Sequence, residues 1–149
     1  MFKDSGKIQY KYQRLEQAAQ TLIYAYEDYN DFDNIVDADD EKYERRFLTY
    51  RDSLITRFNY TFDSLWKYVR LYMELYHDVT VQGGPRDVFR ASLEVLLLSP
   101  DDVEICLEML DSRNEASHIY KEEIANLIAT KMAKYIVVIK KILETMRPS

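Results

Sequence analysis

Apolar side chains recur every three or four residues along almost the whole of this sequence, which is the spacing of one face of an α-helix. Only 3 glycines and 3 prolines interrupt 149 residues, which leaves too little turn chemistry for a many-stranded sandwich or barrel. The pattern therefore predicts an all-α, antiparallel up-and-down bundle of four or five helices. The clearest apolar stripe is Ile55, Phe58, Phe62, Leu65, Val69, Tyr72 and Tyr76.

Helix-start signals and loop residues place the boundaries of these helices. Ser99-Pro100 is typical of a helix start, with a serine cap and proline at the first helical position. Asn and Asp between residues 28 and 40 predict a loop. We expect two long helices near residues 7–30 and 41–76, a shorter one from Pro85 to Leu97, a fourth from Pro100, and a fifth over about 122–146.

The composition excludes several classes of protein. A single cysteine, Cys106, can form neither an intrachain disulfide nor a cysteine-rich zinc site. No apolar run approaches the ~18 residues of a membrane span, and the first residues hold no apolar signal core. We therefore expect one cytoplasmic domain over residues 1–149, with no membrane contact. No phosphate-binding glycine loop, dinucleotide fingerprint or metal-ligand spacing is present, so neither cofactor nor metal is expected.

The charge distribution keeps nucleic acid open as a partner, although the net charge of −6 argues against it. Nine acidic residues and one lysine lie between Glu27 and Glu44, a local charge of −8 that is typical of a solvated loop between helices. Removing that −8 from the total of −6 leaves +2 for the rest of the chain. The chain can therefore have both an acidic loop and a neutral or basic surface that binds its partner.

One short segment concentrates side chains that can carry chemistry. Arg113, Asn114, His118 and Tyr120 supply a guanidinium, an amide, an imidazole and a phenol within eight residues. The apolar stripe of the fourth helix, Val103, Leu107 and Leu110, is expected to lead into Asn114 and His118, which are four residues apart and share a helix face. Polar groups at such half-buried positions need partners, because an unpaired one costs about 1–3 kcal/mol.

This set of residues suits cleavage of RNA without a metal. His118, near the usual histidine pKa of about 6.5, can take the proton from a ribose 2′-hydroxyl or return one to the leaving oxygen. Arg113 can hold the phosphate by two hydrogen bonds, and Asn114 can orient the imidazole or donate to the phosphate. One chain provides one such histidine, whereas a twofold dimer places two across one cleft. A structural histidine at a helix end is the alternative for His118, and His77 is expected to be incidental.

The residues resemble a known family. Arg113-Asn114-x-x-x-His118-x-Tyr120 is similar to the signature of HEPN domains, small helical bundles that include many RNases of toxin–antitoxin systems. Over roughly residues 8–146 the chain resembles the branch of nucleotidyltransferase substrate-binding proteins. The blocks that carry this resemblance are Tyr12-Gln13-Arg14-Leu15-Glu16, Arg57-Phe58-Asn59-Tyr60-Thr61-Phe62, Leu65-Trp66-Lys67, Pro85-Arg86-Asp87-Val88-Phe89-Arg90 and Met109-Leu110-Asp111-Ser112-Arg113-Asn114.

The resemblance implies partners as well as a fold. It implies a homodimer whose two motifs meet in one cleft, and a minimal nucleotidyltransferase that neutralises the helical toxin. In some members the partner adenylylates the motif tyrosine, which corresponds here to Tyr120; a packing tyrosine is the alternative. Two functional classes stay open: a metal-independent endoribonuclease, and a non-catalytic subunit that presents a nucleotide or another substrate to the nucleotidyltransferase.

Overall fold

The computed structural model describes residues 2–35, 42–116 and 122–149, with side chains in the first helix described from Ser5 to Phe32. These residues form helices and connecting turns, with no β-strand among them, so the prediction of an all-α bundle is confirmed. Within the same ranges no helix is long and apolar enough to cross a membrane. The helices are α1 (Phe2–Ile35), α2 (Tyr43–Tyr76), α3 (Pro85–Glu94), α4 (Pro100–Glu115), α5 (Glu122–Thr130) and α6 (Met132–Thr145).

The long helices α1 and α2 pack against each other as an antiparallel hairpin on which the rest of the chain is assembled. Each has 34 residues, a length of about 51 Å at 1.5 Å per residue. Helices α3, α4 and α5 pack on α2, whereas α6 packs on α1 and α4. The predicted stripe of α2 forms the centre of the core, since Ile55, Phe58, Phe62, Leu65 and Val69 are all buried.

Helix α1 continues to Ile35, so the prediction that it ends near residue 30 and gives way to a loop from residue 28 is wrong. The Asn and Asp side chains in this stretch do not stop the helix, because aromatic residues among them continue its packing on α2. The ring of Tyr29 lies 5.7 Å from that of Phe47, and the ring of Phe32 lies 5.2 Å from that of Tyr43. Burial of these rings outweighs the weak helix propensity of Asn and Asp.

Two other helix boundaries also differ from the predictions. Helix α3 ends at Glu94 rather than Leu97, because Leu96 has a left-handed backbone (φ 62°) that stops a helix. The predicted fifth helix is two helices, α5 and α6, separated at Lys131. The Lys131 N–H bonds to the carbonyl of Ile128, three residues back, a tighter turn than the α-helix makes.

Two tyrosine hydroxyls, from the partly buried Tyr12 and the buried Tyr68, tie the end of α6 to the hairpin. The Tyr12 hydroxyl donates to the carbonyl of Leu143 at 2.7 Å, and the Tyr68 hydroxyl donates to the carbonyl of Met146. The last carbonyls of a helix have no partner within it, so these bonds satisfy groups that would otherwise be buried unpaired. Burial raises the pKa of Tyr68, which therefore stays protonated and able to donate.

A second buried tyrosine fixes the C-terminal turns of α4. The Tyr135 hydroxyl on α6 lies 2.7 Å from Oγ of Ser112 and donates to the Glu108 carbonyl at 3.3 Å. Burial raises the pKa of Tyr135 to about 12, so its proton is retained. Because Ser112 directly precedes Arg113, this contact holds the part of α4 that carries the motif.

We expect Tyr135→Phe to lower the free energy of unfolding by about 1–3 kcal/mol, since the change leaves the buried Ser112 hydroxyl with one partner fewer. Urea denaturation followed by circular dichroism measures this loss. Tyr24→Phe is the matched control, because Tyr24 is 57% exposed and its replacement should change stability by less than about 0.5 kcal/mol. Equal effects of the two substitutions would contradict the role given to Tyr135.

Candidate functional site

The predicted site residue Arg113 lies in the last turn of α4 and is paired with Asp63 of α2. Its Nε donates to Asp63 Oδ1 at 3.3 Å and its Nη2 donates to Oδ2 at 3.2 Å. The side chains of Arg113 and Asp63 are 34% and 42% exposed, so the pair lies at the surface of the α2–α4 contact. The pair uses the Nε and Nη2 edge of the guanidinium, which has five N–H donors in all. The Nη1 donors take no part in the pair with Asp63.

The apolar face of α4 explains why Arg113 turns towards α2. Val103, Cys106 and Leu110 are buried at intervals of three and four residues, and Arg113 is the next position in that series. Asn114 is exposed, so the expectation that it continues the buried stripe is wrong by one position. That expectation placed Leu107 on the buried stripe, whereas Leu107 is only partly buried and Cys106 is the buried residue.

The other two predicted site residues, His118 and Tyr120, lie outside the described residues, so the structure does not test where they are. The second histidine, His77, immediately follows α2 and packs against the Tyr72 ring at 5.9 Å. It is 14 residues beyond Asp63, about 21 Å along the helix axis. His77 therefore does not belong to the Arg113 site.

Asp63 also forms part of a surface groove between α1 and α2, of about 380 Å³. We call it the α1–α2 groove. Its lining combines basic, tyrosine and small polar side chains with one acidic side chain. They are Tyr10, Lys11, Arg14, Tyr60, Asp63, Ser64 and Lys67. The ion pair with Arg113 thus adjoins a basic, aromatic groove.

Arg14 is held in this groove by neutral groups. Its Nη2 donates to the Tyr60 hydroxyl at 3.1 Å and its Nη1 to the Tyr10 hydroxyl at 3.4 Å, and its guanidinium carbon lies 5.7 Å from the centre of the Tyr10 ring. The Tyr60 hydrogen bond, followed by the Tyr10 oxygen, raises the pKa of Arg14. Hydroxyl partners orient the guanidinium without neutralising it, so its positive charge remains for an anion.

A buried acceptor accompanies the ion pair. The amide oxygen of Asn59, four residues before Asp63 on α2, is inaccessible to solvent and has no hydrogen-bond partner among the described residues. Residues four apart lie on one helix face, so this oxygen is on the side of α2 that carries Asp63. Such unsatisfied buried groups are rare in folded proteins.

Neither thiol nor metal chemistry is indicated in the part of the chain that the structure describes. Cys106 is buried in the core, and burial raises the pKa of its thiol to about 12, which keeps it in the unreactive protonated form. No group of three or more His, Cys, Asp or Glu side chains is close enough to hold a metal ion in residues 2–35, 42–116 and 122–149.

Sequence reasoning missed Asp63 and the basic residues of the α1–α2 groove. Asp63 is 50 residues from Arg113, and nothing local in the sequence indicates that the two side chains meet. One signal in the sequence could have indicated the groove. The spacing of Tyr60, Ser64 and Lys67 puts polar side chains on a second face of α2, away from its apolar stripe. On α1, Tyr10 and Arg14 show the same i, i+4 spacing.

Comparisons with known proteins agree with this fold. A crystal structure of a protein from Thermus thermophilus superimposes with a TM-score of 0.72 and 26% sequence identity, over 89% of this chain and 98% of that chain. A search of curated proteins finds no significant match. The sequence profile described as nucleotidyltransferase substrate binding protein like matches residues 10–148, nearly the whole sequence. The chain therefore belongs to the family of nucleotidyltransferase substrate-binding-like proteins.

Proposed function

We propose that this protein is a HEPN-type toxin, a metal-independent endoribonuclease that acts as a homodimer in the cytoplasm and is neutralised by a partner minimal nucleotidyltransferase. The observation that supports it most is the fixed guanidinium of Arg113, which is paired with Asp63 beside a groove containing Lys11, Arg14 and Lys67. An oriented arginine next to uncompensated positive charge is suited to binding a phosphodiester.

The reaction is an internal transfer that needs no added reagent. The ribose 2′-oxygen attacks the adjacent phosphorus, the bond to the 5′-oxygen breaks, and a 2′,3′-cyclic phosphate forms. One His118 takes the proton from the 2′-hydroxyl, and the His118 of the second subunit gives a proton to the leaving 5′-oxygen. Arg113 donates to the phosphate oxygens as their charge increases, while Asp63 keeps the guanidinium in place. Asn114 donates to the same phosphate or orients the imidazole.

The family description favours a second candidate function. In it the protein is the non-catalytic substrate-binding subunit of a two-component nucleotidyltransferase, as the words substrate binding suggest. Arg113 and the groove cations then hold the phosphates of a nucleotide, and no proton transfer by His118 is needed. Both candidates share a nucleotidyltransferase partner and differ in whether this chain itself breaks a bond.

His118→Ala should reduce RNA cleavage at least 100-fold, because general acid–base catalysis by a positioned side chain contributes about 10²–10⁴. Cleavage of a labelled RNA in excess EDTA measures the rate. His77→Ala is the matched control, since this other histidine lies at the far end of α2 and should leave the rate unchanged. Equal rates for wild type and His118→Ala would leave the substrate-binding subunit as the better function.

The homodimer follows from the need for two proton-transfer groups when each chain offers one in the motif. Light scattering at micromolar concentration should give twice the chain mass of 17.8 kDa. Mixing wild-type chains with an excess of His118→Ala chains should lower the cleavage rate per wild-type chain, because a mixed dimer holds only one of the two histidines that the shared cleft needs. A mass of one chain, with RNA cleavage intact, would contradict the shared cleft.

Neutralisation of the toxin is proposed to occur at Tyr120. The tyrosine oxygen attacks the α-phosphorus of ATP in the partner's active site, pyrophosphate leaves, and AMP is joined to the ring through a phosphodiester. The added negative charge and the bulk of the nucleotide then oppose entry of RNA.

Tyr120→Phe should abolish incorporation of AMP, because phenylalanine lacks the attacking oxygen. Incubation with ATP, magnesium and the nucleotidyltransferase, followed by intact-mass measurement, detects the adduct. Tyr60→Phe serves as a control, since Tyr60 is an exposed tyrosine that lines the groove beside Asp63, and this variant should incorporate AMP as wild type does. Equal incorporation in Tyr120→Phe and wild type would place the modification on another residue.

A further inference from the structure

The α1–α2 groove has features that the proposed cleavage chemistry does not use. Tyr10 of α1 and Tyr60 of α2 line the groove and are 56% and 48% exposed. Arg14 bridges them through their hydroxyls and lies over the Tyr10 ring. Leaving two large aromatic rings exposed is unfavourable in water, so a planar partner that covers them would stabilise the bound state.

The charge in the groove is unbalanced. Lys11, Arg14 and Lys67 bring three positive charges, whereas Asp63 is the single acid among the described residues that line it. That carboxylate is already paired with Arg113, and the hydrogen bonds of Arg14 within the groove go to neutral hydroxyls. A chain of net charge −6 thus has a local surface that attracts anions.

Together these features fit nucleic acid better than protein. Lysine is depleted in the centres of protein interfaces, and this groove contains two. A free phosphate would engage the cations but leave the tyrosine rings uncovered. A single strand of nucleic acid supplies both an anionic backbone and flat bases, which is how basic grooves with aromatic side chains bind it.

The dimensions and position also agree. Tyr60 to Lys67 covers about 10 Å of the α2 axis, which suits a segment of only a few nucleotides. Asp63 lies within this stretch, so a strand in the groove passes beside the carboxylate that is paired with Arg113.

We infer that the α1–α2 groove binds a short single-stranded segment of RNA, its phosphates on Lys11, Arg14 and Lys67 and its bases stacked on Tyr10 and Tyr60. This inference rests on the proposed function, because it takes the bound strand to be the one that continues to Arg113. It adds a subsite that holds the substrate away from the bond that breaks.

The test is binding of a fluorescein-labelled 12-nucleotide 2′-O-methyl RNA, which cannot be cleaved through its 2′-oxygen, measured by fluorescence anisotropy on the full chain. Arg14→Gln/Lys67→Gln should weaken binding at least 10-fold near 0.1 M salt. It should also reduce the slope of log affinity against log salt by about 1.4, which is about 0.7 for each lost phosphate contact. Tyr60→Ala should weaken binding by about 5- to 100-fold, and Tyr60→Phe, which keeps the ring, should retain most of the affinity.

The matched control is Lys140→Gln/Arg90→Gln, which removes the same charges from exposed positions on α6 and α3 and should leave the affinity within about 2-fold. Circular dichroism verifies that each variant is folded. Unchanged affinity and salt slope in Arg14→Gln/Lys67→Gln would overturn the inference. So would binding of ATP but not of the oligonucleotide, since the groove would then serve a mononucleotide.

Cleavage assays keep this inference distinct from the proposed function. If wild type cleaves RNA and Arg14→Gln/Lys67→Gln cleaves it with unchanged KM, the groove is not a substrate subsite, and the proposed nuclease activity is still supported. If His118→Ala leaves cleavage unchanged while the groove variants lose oligonucleotide binding, the proposed catalytic role of His118 is contradicted and the binding site in the groove is supported.

Discussion

The antiparallel packing of α1 against α2 is the constraint on which the rest of the structure depends. Two 34-residue helices can remain side by side only if each buries a continuous stripe along its length, and those stripes form the core. The other helices pack on the hairpin, and α6 is fastened to it by Tyr12 and Tyr68. When α1 and α2 bury one face each, the neighbouring faces of the two helices stay at the surface where the helices meet. The α1–α2 groove lies between these faces. The interaction that builds the core therefore also creates the basic surface.

Most of the fold could be predicted from the sequence, because helical periodicity is a local property that the whole of α2 displays. The start of α4 after Ser99 was also predictable, and the Ser99 side chain indeed accepts from the Asp102 N–H. The end of α1 was not, because polar residues at 28–35 suggest a loop unless one knows that Tyr29 and Phe32 meet aromatic rings on the opposite helix. Contacts between helices decide such boundaries, and a single sequence does not display them.

The candidate site was likewise predictable only in part from the sequence. Arg113 was predicted from its spacing to Asn114 and His118, a local pattern, whereas Asp63 and Arg14 reach the site only through the packing of α2 with α4 and with α1. The error in the phase of α4 has a similar origin. Leu107 and Cys106 are both plausible core residues by type, and only the neighbouring helices determine that Cys106 is the buried one and that Arg113 consequently faces α2.

The bond between Arg113 and Asp63 is better understood as positioning than as stabilisation. Both side chains are more than a third exposed, and surface ion pairs contribute only about 0–1 kcal/mol. Two parallel hydrogen bonds nevertheless fix the plane of the guanidinium, which a single contact would not. Asp63 also offsets the positive charge of Arg113, so the strongest attraction for an anion comes from Lys11, Arg14 and Lys67. Under the proposed function, an approaching RNA strand is drawn first to the groove and then meets an arginine already oriented for its phosphate.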